Sequence, residues 1–288
     1  MPEQRIVIYF LFLRYDKIVF DKYNLKRYIL QMWLFFVLFF IPFSAHSYDR
    51  IISLSPQITE SIYLLGADEQ LIGITELCRR PAEAMKKEKV GTPLRPDAEK
   101  IVSMRPDIIF GTREGNSPIA MARFERLGIK TYYFDRPRTL LGLLDNFLTL
   151  SRMTGKEERG KRIIEIARGA LPKEKNDKGY KVLWQVGAEP LIVASNNSFA
   201  NDIILLAGGY NIIESELPYP RINAEEVILK APHVIVLMDM GYNVQLEKNR
   251  WKRYFSKAQF VTMDAYSVGS PTPISFVDAV NRLAESFR

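Results

Sequence analysis

The sequence predicts an α/β protein of two Rossmann-like lobes, each with a mainly parallel sheet, joined by one long interlobe α-helix. Three observations predict it. Short apolar runs alternate with amphipathic stretches along most of the chain, the pattern of parallel strands covered by helices on both faces. One phrase occurs twice, DAEKIVSMRPDIIF at residues 97–110 and NAEEVILKAPHVIV at residues 223–236, aligned without a gap. Between the copies, residues 156–173 place Ile163, Ile164, Ile166, Ala167, Ala170 and Leu171 mostly on one helical stripe that Pro172 stops.

The first 47 residues stand outside that plan. Lys26 and Arg27 precede MWLFFVLFFI at residues 32–41, and small residues (Ala45, Ser47) lie three and one before Tyr48. These are the parts of a signal peptide. A membrane span needs about 20 apolar residues, more than this run supplies. Cleavage after Ser47 is expected, with residues 1–24 longer than a leader requires. Six basic and three acidic residues precede Tyr48, so their removal takes the net charge from +7 to +4. No basic cluster is interleaved with aromatics in a groove-reading pattern, so no nucleic-acid partner is expected. Cys78 is the single cysteine and excludes an intrachain disulfide.

The first lobe is expected over residues 48–155. Residues 50–54 read as a strand, after which Ser55 and Pro56 suit a helix N-cap and first turn, with Gly66 closing the helix. Strands follow at 71–75, 108–111 and 131–134, and helices at 81–87, 117–127 and 139–153. In the repeated phrase a capping residue, Asp97 or Asn223, opens a short helix that stops at Pro106 or Pro232 and runs into a buried strand. Glu226, three residues after Asn223, adds a capping-box signature. The interlobe helix is assigned to residues 156–173 and the second lobe to 174–288. That lobe should hold strands at 181–186, 191–194, 234–237 and 259–263 and a last helix at 275–287, with Gly208-Gly209 as a helix C-cap.

Catalytic chemistry is poorly served. After leader removal His233 is the single histidine, directly behind a helix-stopping proline. Neither a histidine-based triad nor a zinc cluster can be assembled, and phosphate-loop signatures are absent. What gathers at the strand ends is ligand-contact chemistry. Ser55 and Pro56 offer a helix N-terminus, and arginines follow four strands or their loops: Arg79 and Arg80, Arg95, Arg113, and Arg136 with Arg138. The second lobe adds Trp184, Tyr219, Arg221, Met240 and Tyr242 as apolar or aromatic surface. Ligands of such sheets bind outside the carboxyl ends of the strands, so one cleft between the lobes is expected to take a large, partly flat, partly anionic ligand.

With RIISLSPQITESIYLLGA, VGTPLRPDAEKIVSMRPDIIF, LGIKTYYFD, SFANDIILLAGGYNII, YPRINAEEVILKAPHVIVL and SPTPISFVDAVNRLAESF laid out, the chain resembles the periplasmic substrate-binding proteins of ABC importers for cobalamin and ferric siderophores. The resemblance runs from about Arg50 to Arg288. It implies a monomer with no cofactor of its own that captures a corrinoid or a ferric siderophore and hands it to a membrane permease driven by an ATPase. It implies that Glu225 docks with the permease, with Glu114 as the first-lobe substitute. The loops around Thr92, Thr112 and Tyr219 correspond to tryptophan-bearing cleft loops of the cobalamin branch, and here only Tyr219 is aromatic. Two other readings use the same two-lobed scaffold, a cofactor-handling protein or enzyme and an exported sensor or adaptor.

Overall fold

The computed structural model describes residues 47–173 and 179–287, so the expected leader lies outside it apart from Ser47. Strand β1 (Ile51–Ser53) is buried throughout because both of its faces carry apolar neighbours. With β2 (Leu71–Ile74), β3 (Glu88–Lys89), β4 (Ile108–Thr112) and β5 (Lys130–Phe134) it forms a sheet of order β3-β2-β1-β4-β5 in which every pair is parallel. Parallel neighbours need crossovers, and these carry α1 (Pro56–Leu64), α2 (Ala98–Ser103) and α3 (Pro118–Arg126). The period of two is visible in the packing. Ile51 and Phe110 join the core beside α1, while Ile52 and Ile109 face Ile101, Met121 and Phe124. The expected helix at 81–87 is a 3₁₀ turn, Ala82–Lys86.

Two helices lead out of this sheet, α4 (Leu140–Met153) and α5 (Glu157–Gly169). The second is the expected joining helix, and it stops four residues early. Pro172 lacks an N–H and disfavours helical backbone at Leu171, so the last turn closes on Ala170 instead. Gly160 lets α5 lie directly on α4, since a Cβ there would meet the Ser151 side chain at 2.5 Å.

The second sheet contains β6 (Tyr180–Gly187), β7 (Ile192–Val193), β8 (Gly209–Asn211), β9 (Val234–Asp239) and β10 (Gln259–Asp264), ordered β10-β9-β6-β7 with β8 paired to β6. Only the β6–β7 pair is antiparallel, because residues 188–191 are too few for a crossover. Its helices are α6 (Phe199–Ala207), α7 (Ala224–Lys230), α8 (Val244–Lys252), α9 (Ala265–Gly269) and α10 (Pro273–Glu285). Gly208 closes α6 in a left-handed conformation as expected, and Gly209 opens β8, which the sequence reading missed together with α8 and α9.

The repeated phrase folds twice in the same way. Asp97 Oδ1 accepts from Lys100 N and Asn223 Oδ1 accepts from Glu226 N. The residue before each proline turns left-handed, Arg105 at φ 48° and Ala231 at φ 49°. A full reciprocal capping box forms at Thr272 and Ser275 rather than at Asn223. One apolar core runs through both lobes: Ile58, Phe147 and Leu150 continue through Ile164 and Ala167 to Phe276, Val280 and Leu283. Each described end is tied down. Tyr48 N donates to Met153 O at 3.2 Å, and Phe287 stacks on Tyr180 at 4.8 Å, both beside the amino ends of strands.

A candidate ligand cleft between two sets of strand ends

The carboxyl end of β2 leads to Arg79 and Arg80, and that of β10 is Asp264, running into α9. These ends meet. Arg80 Nη2 donates to Asp264 Oδ2 and Nη1 to Ser267 Oγ, each at 2.5 Å, while the guanidinium lies 4.8 Å from the Tyr266 ring centroid. The Arg79 N–H donates to the Tyr266 hydroxyl at 3.1 Å. Past β5, Arg136 Nη2 donates to the Tyr219 hydroxyl at 3.1 Å and Arg138 Nη1 to Asn197 Oδ1 at 3.1 Å. Contacts of this kind join loops after first-sheet strands to loops and strand ends of the second. The carboxyl ends of the two sheets therefore face one another, which is where ligands of parallel sheets bind.

The cleft electrostatics are more balanced than a row of arginines implies. Burial alone would raise the Asp264 carboxyl, but the Ser267 hydroxyl and N–H and the Arg80 guanidinium outweigh it and hold the carboxyl below its ordinary value. Glu60, on α1, goes the other way: burial raises it, Arg80 partly offsets this, and the Asp264 charge adds to it. Its Oε2 is buried and has no hydrogen-bond partner among the described residues. Burial, with Glu247 and Asp239 nearby, pushes the Tyr242 phenol up, so it stays neutral.

The residues expected to line the cleft are placed in several different ways. Arg79 through its backbone N–H, Arg80 through its guanidinium and Arg136 with Tyr219 form separate bridges across it, and Arg113 is tied sideways, with Nε 2.6 Å from Asp135 Oδ1 and the guanidinium over Tyr133. Four of these arginine side chains are thus engaged, a correction to the expectation of free cationic hooks: the Asp264 and Asp135 carboxylates neutralise Arg80 and Arg113, while Tyr219 and Asn197 orient Arg136 and Arg138 without cancelling their charge. Arg95 and Arg221 are exposed, Met240 is 54% exposed just past β9, and Tyr242 is half-buried. Ser55 occupies the N-cap position before Pro56, but its hydroxyl makes no capping bond. Thr92 and Thr112 sit in strand-end turns, Thr92 Oγ1 accepting from Arg95 N and Thr112 N donating to Asn116 Oδ1. Trp184 is the clear correction. It is 0% exposed on the central strand β6, facing the core rather than the cleft. Glu225 and Glu114 are both exposed, Glu225 in the first turn of α7.

Asp264, Tyr266, Ser267 and Asn197 were missed from sequence. They lie in stretches with no arginine or aromatic cluster, and only the pairing of β10 with β9 carries the first three to the cleft. Among the described residues, no group of three His, Cys, Asp or Glu is arranged to hold a metal ion, and no helix is long and apolar enough to cross a membrane.

Two mainly parallel sheets opposed at their carboxyl ends, bridged by a helix and by side chains, define a two-lobed binding protein. The chain belongs to the Periplasmic binding protein family, which it matches over residues 51–267. It is 29% identical over 250 residues to the vitamin B12-binding protein of Vibrio cholerae serotype O1, covering 84% of this chain and 89% of that one. The crystal structure of the periplasmic vitamin B12-binding protein of Vibrio cholerae superposes with a TM-score of 0.69 at 26% identity, covering 83% of this chain and 96% of the other. A periplasmic heme-binding protein of Vibrio cholerae superposes at TM-score 0.73 with 20% identity, covering 82% and 97%, a likeness of fold alone. These relatives are named for binding and not for catalysis, and this chain is a binding protein rather than an enzyme.

Proposed function

We propose that this protein is the exported receptor of an ABC importer, that it captures a metal chelate in the interlobe cleft, and that the chelate is a corrinoid. The observation that carries the reading is the opposition of the two carboxyl edges, which leaves one shared mouth for a ligand too broad for either lobe alone. The vitamin B12-binding relative, similar over 84% of the chain, supports a corrinoid ahead of a ferric siderophore. The mouth offers Tyr219 and Met240 as an organic face and Arg95 as an exposed cation, chemistry suited to a flat macrocycle with polar substituents. In this reading the lobes are residues 48–155 and 174–288, joined by 156–173, the leader is removed after Ser47, the protein acts as a monomer, and Glu225 with Glu114 meets the permease, which an ATPase drives.

Calorimetric titration with cyanocobalamin, hemin and a ferric hydroxamate tests the ligand. Cyanocobalamin should bind with a Kd below about 10 µM, roughly −7 kcal/mol, and more tightly than the other two. Calorimetry is preferred to tryptophan emission because Trp184 and Trp251 are both buried in core. Tighter binding of hemin or of the hydroxamate would replace the corrinoid, and no binding by any of them would end the chelate reading.

A further inference from the structure

Asn116 lies in the loop between β4 and α3, 3% exposed, and its side chain is spent entirely on backbone. Nδ2 donates to Leu54 O at 3.1 Å and to Pro93 O at 3.0 Å, and Oδ1 accepts from Thr112 N at 2.6 Å. Those three groups belong to three different connections at the carboxyl edge of the first sheet: the exit of β1, the turn before α2, and the exit of β4. One planar amide with two donors and an acceptor thus fixes the spacing of three loops that share no sequence proximity. The site is built for it. A Cβ at Gly111 would sit 2.8 Å from Asn116 Oδ1, so the glycine admits the side chain. The stem of the turn at 92–95 is tied to the β2 exit, Gly91 O accepting from Glu76 N, and its loop closes through Thr92 N to Arg95 O and through Thr92 Oγ1; the Asn116 bond to Pro93 O is what ties its tip to the exits of β1 and β4.

We infer that Asn116 is the positioning residue of the first-lobe cleft wall, setting ligand affinity by holding Ser55, Thr92 and Thr112 in fixed relation without touching ligand. The affinity part rests on the proposed chelate-binding reading; the positioning part does not. Buried amide bonds of this kind are costly to leave unmade, so their loss should loosen the loops rather than be absorbed in place.

Two substitutions separate the roles of the amide. Asn116→Ala removes donor and acceptor, whereas Asn116→Asp keeps the acceptor and faces two carbonyl oxygens with a carboxylate. Hydrogen exchange on the ligand-free protein should show Thr112 N–H deprotected in Asn116→Ala but retained in Asn116→Asp. Thr92 and Arg95 should exchange faster in both, and the second sheet should be unchanged. Cyanocobalamin should bind at least tenfold more weakly in both variants, mainly through faster dissociation, with Asn116→Asp the worse. Should Asn116→Asp fail to fold, Gly111→Ala displaces the amide without deleting it and should give the Asn116→Ala pattern in weaker form. Unchanged exchange at Thr92 and Arg95 would overturn the positioning role whatever the ligand. Loosened loops with unchanged dissociation would overturn its link to affinity. If the unmodified protein binds none of the three chelates, the chelate reading fails by itself, and the exchange pattern alone decides the positioning role.

Discussion

Arg80 illustrates how far a single residue can be read without its neighbours. Its place after a strand marked it for the cleft, and it is there, but its guanidinium is already held by Asp264, Ser267 and the face of Tyr266. Arg80→Ala removes the cation that lowers both carboxyls beside it. The Asp264 midpoint, held below the usual ~3.9, should rise, and the Glu60 midpoint, already raised by burial, should rise further. Carboxyl-resolved NMR titration would show both shifts, and unmoved midpoints would refute the bridge in solution. The signs separate the two groups. A depressed Asp264 contributes stability above its unfolded value that is lost only as pH falls through the folded one. A raised Glu60 disfavours the folded state progressively as pH climbs from its unfolded value to its folded one, and by the full amount above that, so Glu60→Gln should leave acid stability unchanged and raise the melting temperature at neutral pH. Trp184 was misread for a simpler reason. In a strand buried on both faces, alternation does not tell core from mouth, and Gln185 beside it is also buried, accepting from Trp251 Nε1 and donating to Glu247.

Among the elements, the twin helix–turn–strand units were the most legible, because cap, proline and apolar run each impose a local geometry that the rest of the chain need not supply. Asn223→Ala should cost roughly 1 kcal/mol, or about 2–4 °C in Tm for a domain of this size. Ala231→Gly, at a left-handed position, should stabilise by about 1 kcal/mol. Calorimetric melting of both variants checks the pair. Glu225→Arg, exposed on the first turn of the same helix, should leave chelate binding intact and weaken uptake in cells, and unchanged uptake would remove the docking role. Helix α8 was illegible because only Glu247 and Trp251 of its nine residues are buried, too few for an amphipathic stripe to show. Strand β8 was hidden by its three-residue length and by a glycine that reads as a cap.

For the whole molecule, alternation of strands and helices was enough to give two mainly parallel sheets, but it could not show that their cores are continuous. That continuity and the side-chain bonds across the mouth predict that the lobes move little against each other when a ligand binds. Small-angle scattering profiles with and without cyanocobalamin should nearly superimpose, and a clear fall in radius of gyration would contradict this.

The anchoring of both described ends beside the amino ends of strands carries a practical consequence. Dyes attached near Tyr48 and Phe287 sit away from the mouth, beside strand amino ends, so if the lobes close as little as predicted their energy-transfer efficiency should stay flat through a full chelate titration. A reagentless sensor built on this scaffold needs its reporter at the lip, for instance on a cysteine introduced at Met240, where occupancy changes the dye's surroundings instead of its distance to a partner. Cys78, 1% exposed, would not compete for the label.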